Sequence, residues 1–286
     1  MIEFNIVGAG RLGFAIANAL HYNHAATLKG VYNQHAINSA NVVKTLGVGK
    51  AIADLADLPP VDITFITTPD YCIQTVAEKL AEGRSIKPTS VIVHCSGVLD
   101  AQTALGSLKK HQCLIASIHP LKAFSVSIVD PFYFRDCPCA IEGDSAAIDL
   151  LTHLFNRLDA QLIPLNPKHK ALYHAGATIA ANYMVTLAAT SSQCLQQAGI
   201  SKSQTIEIVT QLMQSSLDNI KLKANFSTAL TGPLARGDIE TIQRHLEVLD
   251  DPLLHKLYQI TGLATLPLTT IDEKMRAALA QLLGED

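Results

Sequence analysis

Charge is scarce in this chain. Asp, Glu, Lys and Arg make up 16% of its 286 residues, against roughly 25% in an average soluble protein. There is no basic surplus either: 22 Lys and Arg face 25 Asp and Glu, a formal net charge of −3. The balance argues against a nucleic-acid binder, which normally carries a basic surplus on one face. At Met1 there is no basic stretch followed by a long apolar run, so the sequence reads as a cytoplasmic protein without a secretory signal. An apolar content of 48% excludes disorder. The six cysteines do not form a disulfide framework, because a chain this long builds its own core, and free thiols are expected. Cys137-Pro-Cys139 is too tightly spaced for a zinc knuckle and reads as a strand edge, so no metal is expected.

A further absence lies between Ala171 and Ser201, which contains no Asp, Glu, Lys or Arg. His174, Asn182, Ser191, Ser192 and Gln193 interrupt it, so it falls short of the ~20 continuous apolar residues of a membrane span. A helix with few charges on any side is surrounded by protein. The segment therefore reads as the buried spine of a helical domain, shared with a second copy of the chain. Lys168 and Lys170, just before it, read as solvated.

The length is about twice that of a typical domain, which predicts two. Up to about residue 165, β-rich runs alternate with helical stretches: Glu3–Val7, Leu28–Tyr32, Ile63–Thr67, Val91–His94, Leu114–Ile118, Ala140–Glu142 and Leu162–Pro164, with helices such as Leu12–Tyr22, Ile73–Glu82 and Ala146–Leu158 between them. That alternation predicts an α/β domain with a doubly wound parallel sheet over residues 1–165. Strand signals then vanish, and residues 166–286 read as all-α. Pro167–Gln197 is expected as one long helix closed by Gly199, and Asp238 is expected to cap Ile239–Leu249. Thr270 and Glu273 have capping-box spacing for a final helix.

Gly8, Gly10 and Gly13 fall in G-x-G-x-x-G spacing between an apolar strand and an apolar-periodic helix, the context that marks a dinucleotide-binding turn. Gly8 permits the tight turn, Gly10 lets a pyrophosphate approach the backbone, and Gly13 lets helix and strand pack closely. Arg11 and Leu12 open the helix whose free N–H groups face the phosphates. An NAD site places Asp or Glu about 20 residues further on, gripping the ribose 2′-hydroxyl. Here no acidic residue occurs between Phe4 and Ala53, and Asn33 stands at the second strand's tip. A 2′-phosphate would meet no repulsion, so NADP is favoured over NAD.

Ligands of such sheets bind beyond the carboxyl ends of the strands. Those ends carry Thr67-Thr68-Pro69 before Asp70, a loop along the cofactor's edge with Asp70 as helix cap, then Ser96-Gly97 where nicotinamide and substrate would meet, then His119-Pro120. A strand-end histidine can shuttle a proton near neutral pH. On the long helix His174, Thr178 and Asn182 recur every four residues, which turns the stripe only ~40° per step, so the three can face one cleft. Arg236, in Thr231-Gly-Pro-Leu-Ala-Arg-Gly-Asp238, offers a bidentate clamp for a carboxylate.

Taken together, Gly8-Ala-Gly-Arg-Leu-Gly13, Thr67-Thr-Pro-Asp70, Val93-His-Cys-Ser-Gly97, His119-Pro120 with Phe124, Tyr173-His174 through Asn182-Tyr183, and Ala229 through Asp238 resemble a group of bacterial Rossmann-like oxidoreductases with a helical C-terminal domain of the 6-phosphogluconate dehydrogenase type. That group is related to pyrroline-5-carboxylate reductase and to the 6-phosphogluconate and 3-hydroxyisobutyrate dehydrogenases. The resemblance implies an NAD(P)-dependent dehydrogenase or reductase, dimeric through the helical domain. In the hydroxyacid branch a lysine on the long helix, followed closely by asparagine, handles the hydroxyl proton; here that stretch offers His174 and Asn182, with no lysine between. The expectation is an NADP-dependent oxidoreductase for a small carboxylate-bearing ketone, imine or alcohol. Ser96 and Asn182 would orient the substrate, Gly97, Thr178 and Arg236 would contact it, and His174 or His119 would exchange the proton. The alternative is a dinucleotide-binding sensor or scaffold that turns over nothing.

Overall fold

The computed structural model describes residues 1–83, 85–124 and 130–284. The chain divides into two compact units, Met1–Ala181 and Asn182–Asp286. The composition shift near residue 165 marks where strands end, whereas the first unit continues through one more helix.

In the first unit the elements run β1 (Glu3–Val7), α1 (Arg11–Tyr22), β2 (Thr27–Tyr32), α2 (Ala36–Leu46), β3 (Lys50–Ile52), β4 (Ile63–Ile66), α3 (Asp70–Glu82), β5 (Val91–His94), α4 (Ala101–Leu105), β6 (Leu114–Pro120), β7 (Pro138–Gly143), α5 (Ser145–Asn156), β8 (Gln161–Pro164) and α6 (Lys170–Thr178). They form one eight-stranded sheet in the order β3-β2-β1-β4-β5-β6-β7-β8. All neighbours are parallel except β6 and β7. The Rossmann-like sheet followed by helices is the expected fold class. The antiparallel β7 departs from the all-parallel expectation, because a run such as Ala140–Glu142 carries no mark of direction.

Central strands of this sheet are buried on both faces, as parallel sheets require. One face is covered by α1 and α5, packed through Ile16, Leu20, Leu151 and Phe155 onto Phe4, Phe65 and Ile118. The few aromatics concentrate there, with Phe4 edge-on to Phe65 and Phe134 edge-on to Phe155. The other face takes Ile73, Ala77 and Leu80 of α3 and Leu105 of α4 against Val7, Ile66 and Ile92. Order reverses between β1 and β4, so the carboxyl ends of these strands open a crevice at the switch point.

Two helix starts differ from expectation, those of α3 and of the last helix. Pro69 occupies the cap position of α3 and Asp70 is its first residue. Asp144 caps α5 without a side-chain bond, its carboxylate instead accepting Ile115 N–H at 2.9 Å and pairing with Lys109 at 2.9 Å. At the C-terminus Asp272, not Thr270, caps the last helix, Glu273–Leu282, through Met275 N–H.

The helical unit contains α7 (Met184–Gln197), α8 (Lys202–Lys223), short helices Phe226–Ala229 and Pro233–Arg236, and Ile239–Val248, Pro252–Thr265 and Glu273–Leu282. Ile242, Leu266, Leu279 and Leu283 form its buried cluster. The expected long helix is interrupted: α6 ends at Thr178, a π turn spans Ile179–Tyr183, and α7 begins at Met184. Packing within this one chain does not bury residues 171–201. Leu172, Ile179 and Val185 are 76%, 60% and 67% exposed in the single chain. No helix among the described residues is long and apolar enough to cross a membrane.

Candidate functional site

The glycine turn sits at the carboxyl end of β1, tied to both neighbouring strands. Gly8 N–H donates to Tyr32 O at 2.8 Å, Thr67 N–H to Val7 O at 2.8 Å, and the Thr67 hydroxyl to Gly8 O at 2.9 Å. Gly8 has φ +90°, and a Cβ there would meet Thr68 Cγ2 at 2.7 Å. A Cβ on Gly13 would meet Thr67 Oγ1 at 2.4 Å and Gly8 O at 2.9 Å. Gly10 is different: its Cβ would find only Gly8 O, at 4.0 Å. Gly8 and Gly13 are thus required by packing, while the space before Gly10 is open.

Behind that space α1 begins with no side-chain cap and no acidic residue in its first turn. Its first N–H groups lack intrahelical partners. Arg11 is exposed at this end, and Leu12 packs partly into the core. An anion such as a dinucleotide diphosphate fits this cradle in shape and charge. Nearby side chains are partly committed. The Thr67 hydroxyl braces the glycine turn, Thr68 Oγ1 is buried without a partner, and Pro69 caps α3. Asn33, just past β2, donates to the buried Ser39 Oγ at 3.3 Å.

Further along the same sheet edge, four residues converge. Gly97 follows β5, His119 ends β6, and Tyr173 and His174 lie on α6. His119 Nδ1 shares a hydrogen bond with the Tyr173 hydroxyl at 2.9 Å, and the His119 and His174 rings meet edge to face at 5.4 Å. A Cβ on Gly97 would lie 2.3 Å from His174 Nδ1 and 2.9 Å from His119 Cε1. His174 therefore rests directly on the Gly97 backbone, and its Nδ1 is buried without a partner.

Burial, reinforced by the charges of His174 and Lys170, lowers the His119 pKa to about 4, so the ring is neutral near pH 7. Burial raises the Tyr173 pKa above the usual phenol value and keeps its proton on. A neutral imidazole joined to a protonated phenol can take up or release a proton at either end. The Cys95 thiol, pushed up to about 12 by burial, is no nucleophile at neutral pH.

Other expected site residues stand differently. Ser96 is buried, its hydroxyl donating to Asp70 at 2.7 Å and accepting from Val98 and Leu99 N–H at 3.1 and 3.0 Å. Its bonding capacity is spent on the loop that presents Gly97, so it braces that loop rather than reaching a ligand. Thr178 closes α6, but the π turn after it breaks the four-residue spacing that was to align it with Asn182. Asn182 and Arg236 belong to the second unit and are exposed. Lys170, read as solvated, is 2% exposed and ion-paired to Glu142 at 3.0 Å. That pair and the His119–Tyr173 hydrogen bond were missed. The available signal was that Lys170 precedes Tyr173 and His174 by three and four residues, one helical face.

Residues 2–93 match the oxidoreductase family described as NAD-binding Rossmann fold. Residues 137–265 match a domain of unknown function, DUF2520. No curated protein matches this chain. Among solved structures it is similar to BF3122 from Bacteroides fragilis, a provisional NADP oxidoreductase, with TM-score 0.74 and 19% identity over 92% of this chain and 97% of that one. It is also similar to TM1727 from Thermotoga maritima, with TM-score 0.70 and 24% identity over 97% and 98%. Pyrroline carboxylate reductase from Plasmodium falciparum, with NADP bound, gives TM-score 0.59 and 13% identity over 99% and 98%. At these identities the likeness establishes the fold.

Proposed function

We propose that the protein is an NADP-dependent oxidoreductase acting on a small carboxylate-bearing ketone, imine or alcohol. One observation carries the reading: the open phosphate cradle at Gly10 and the Gly97–His119–Tyr173–His174 group lie at the carboxyl edge of one sheet. The nicotinamide, when bound, supplies or accepts the hydride. The chain's own residues do the rest. Gly8, Gly10, Arg11, Leu12 and Gly13 receive the diphosphate, with Thr68 and Pro69 along its edge. The acid-free stretch from Phe4 to Ala53, with Asn33 past β2, tolerates a 2′-phosphate, and the Plasmodium neighbour with NADP bound supports the same choice.

His119 with Tyr173, or His174 beside them, holds the proton exchanged at the substrate oxygen or nitrogen. Ser96 holds Gly97 in place. Thr178 and Asn182 are assigned to the substrate by chemistry alone, and Arg236 to its carboxylate. The protein is further proposed to be a cytoplasmic homodimer joined through its helical unit. The support is an uncharged stretch whose Leu172, Ile179, Tyr183 and Val185 stand exposed in one chain.

The test is a panel of oxo acids, cyclic imines and hydroxy acids followed at the nicotinamide absorbance. Turnover is expected with at least one class, falling about 10²–10⁴-fold in His174→Ala or Tyr173→Phe while NADPH affinity persists. Tight NADPH binding with no turnover across the panel would leave the sensor reading instead.

A further inference from the structure

Lys170, Glu142 and Ser117 form a buried polar group that the proposed chemistry does not use. Lys170 Nζ pairs with Glu142 at 3.0 Å and donates to the Ser117 hydroxyl. The same Glu142 Oε1 accepts the Ala101 N–H at 2.9 Å. Ser117 and Glu142 face each other in the antiparallel β6–β7 register, so both reach one ammonium. Lys170 and Glu142 are 2% and 5% exposed.

Burying such a pair gains little stability, since desolvating two charges consumes most of their attraction and an apolar pair often serves as well. What the group does have is connection to three separate elements. Ala101 opens α4 directly after the loop that carries Ser96 and Gly97. Ser117 lies two residues before His119, on the same side of β6. Lys170 lies one turn before Tyr173 and His174 on α6. The segment leading into α4, strand β6 and helix α6, all tied to this group, therefore each carry one part of the candidate site.

We infer that Lys170 is a positioning residue, which through Glu142 and Ser117 holds Gly97, His119 and the Tyr173–His174 pair in mutual register. Its purpose rests on the oxidoreductase reading, but its geometry does not. The ammonium also acts through space: after burial, its charge helps keep both His94 and His119 unprotonated.

The test uses the full chain and needs no substrate. In Lys170→Met/Glu142→Gln both charges go, while Gln retains an acceptor for Ala101. Histidine ring signals are followed by NMR through a pH titration, with NADPH binding measured alongside. The double variant is expected to fold and to bind NADPH as before. Its His119 midpoint should move up and the Tyr173-bonded Nδ1 signal should shift. Once a substrate is known, kcat should fall about tenfold or more with KM little changed. Lys170→Arg, which keeps the charge, should hold the His119 midpoint low and recover part of kcat. A folded double variant with wild-type histidine shifts and midpoints overturns the inference. If the double variant does not fold, Lys170→Arg decides by itself: its bulkier head must displace the His119 and His174 signals, and unchanged signals overturn the inference. NADPH binding lost in the wild type would sink the oxidoreductase reading separately.

Discussion

Gly97→Ala is expected to abolish most turnover while leaving cofactor binding intact. The added methyl would lie 2.3 Å from His174 Nδ1 and 2.9 Å from His119 Cε1, distances no real contact sustains, so one or both rings must move. The nearest atoms met are side-chain atoms of His174 and His119, whereas those nearest a Cβ on Gly8 or Gly13 belong to other residues. Misplacing reacting groups by about 1 Å costs on the order of 100-fold in rate, and that is the loss expected in kcat with a substrate from the panel. NADPH affinity should stay within about threefold, since the phosphate cradle is untouched. Wild-type kcat in Gly97→Ala would show that neither His119 nor His174 takes part in the chemistry.

Stability is expected to fall steeply on mild acidification. His94 is fully buried and, chiefly through burial, protonates only near pH 3 in the folded chain; His119 does so near pH 4. Both take up a proton near 6.5 once unfolded. Between those values the unfolded state binds more protons, so each histidine subtracts about 1.4 kcal/mol of stability per pH unit as pH falls below 6.5. Above pH 6.5 the loss is absent. The depressed carboxylates Asp62, Asp100 and Asp144 add their own losses only below their ordinary value of 3.8. Urea unfolding at pH 7 and pH 5 should therefore differ by about 4 kcal/mol from the two histidines. His94→Asn keeps an acceptor for the Ser96 N–H, which His94 Nδ1 receives at 3.1 Å, and should halve the slope. Equal stability at pH 7 and pH 5 would contradict the neutral buried imidazoles.

Much of the fold was legible because its signals are local. Apolar runs ending in Val7, Thr67, His94 and Ile118, with helices between them, spell a doubly wound sheet, and Gly8, Gly10 and Gly13 mark its first turn. His119 and His174 could be chosen because one ends a strand and the other interrupts an uncharged helix. Their meeting over Gly97 could not be read, since it depends on how α6 lies along β6. The Lys170–Glu142 pair was hidden for the same reason: its parts are 28 residues apart in sequence, and a lysine near a helix start looks like any solvated one. Ser96 was correctly placed at a strand end, but its hydroxyl is consumed by Asp70, Val98 and Leu99. The π turn at Ile179–Tyr183 left no mark in a stretch whose residues suit an α-helix throughout. Exposure of Leu172 and Val185 shows that the absence of charge along a helix does not by itself imply burial within its own chain.

The central claim is that the turn at Gly10 grips a dinucleotide diphosphate. NADPH fluorescence titration of the wild type and Gly10→Asp, each paired with a thermal melt, tests it most directly. Open space before Gly10 predicts an unchanged melting temperature, and a carboxylate set in the phosphate cradle predicts affinity weakened by about 100-fold or more. Wild-type protein that ignores both NADPH and NADH at millimolar concentration, or a Gly10→Asp variant that binds as well as the wild type, would contradict the account.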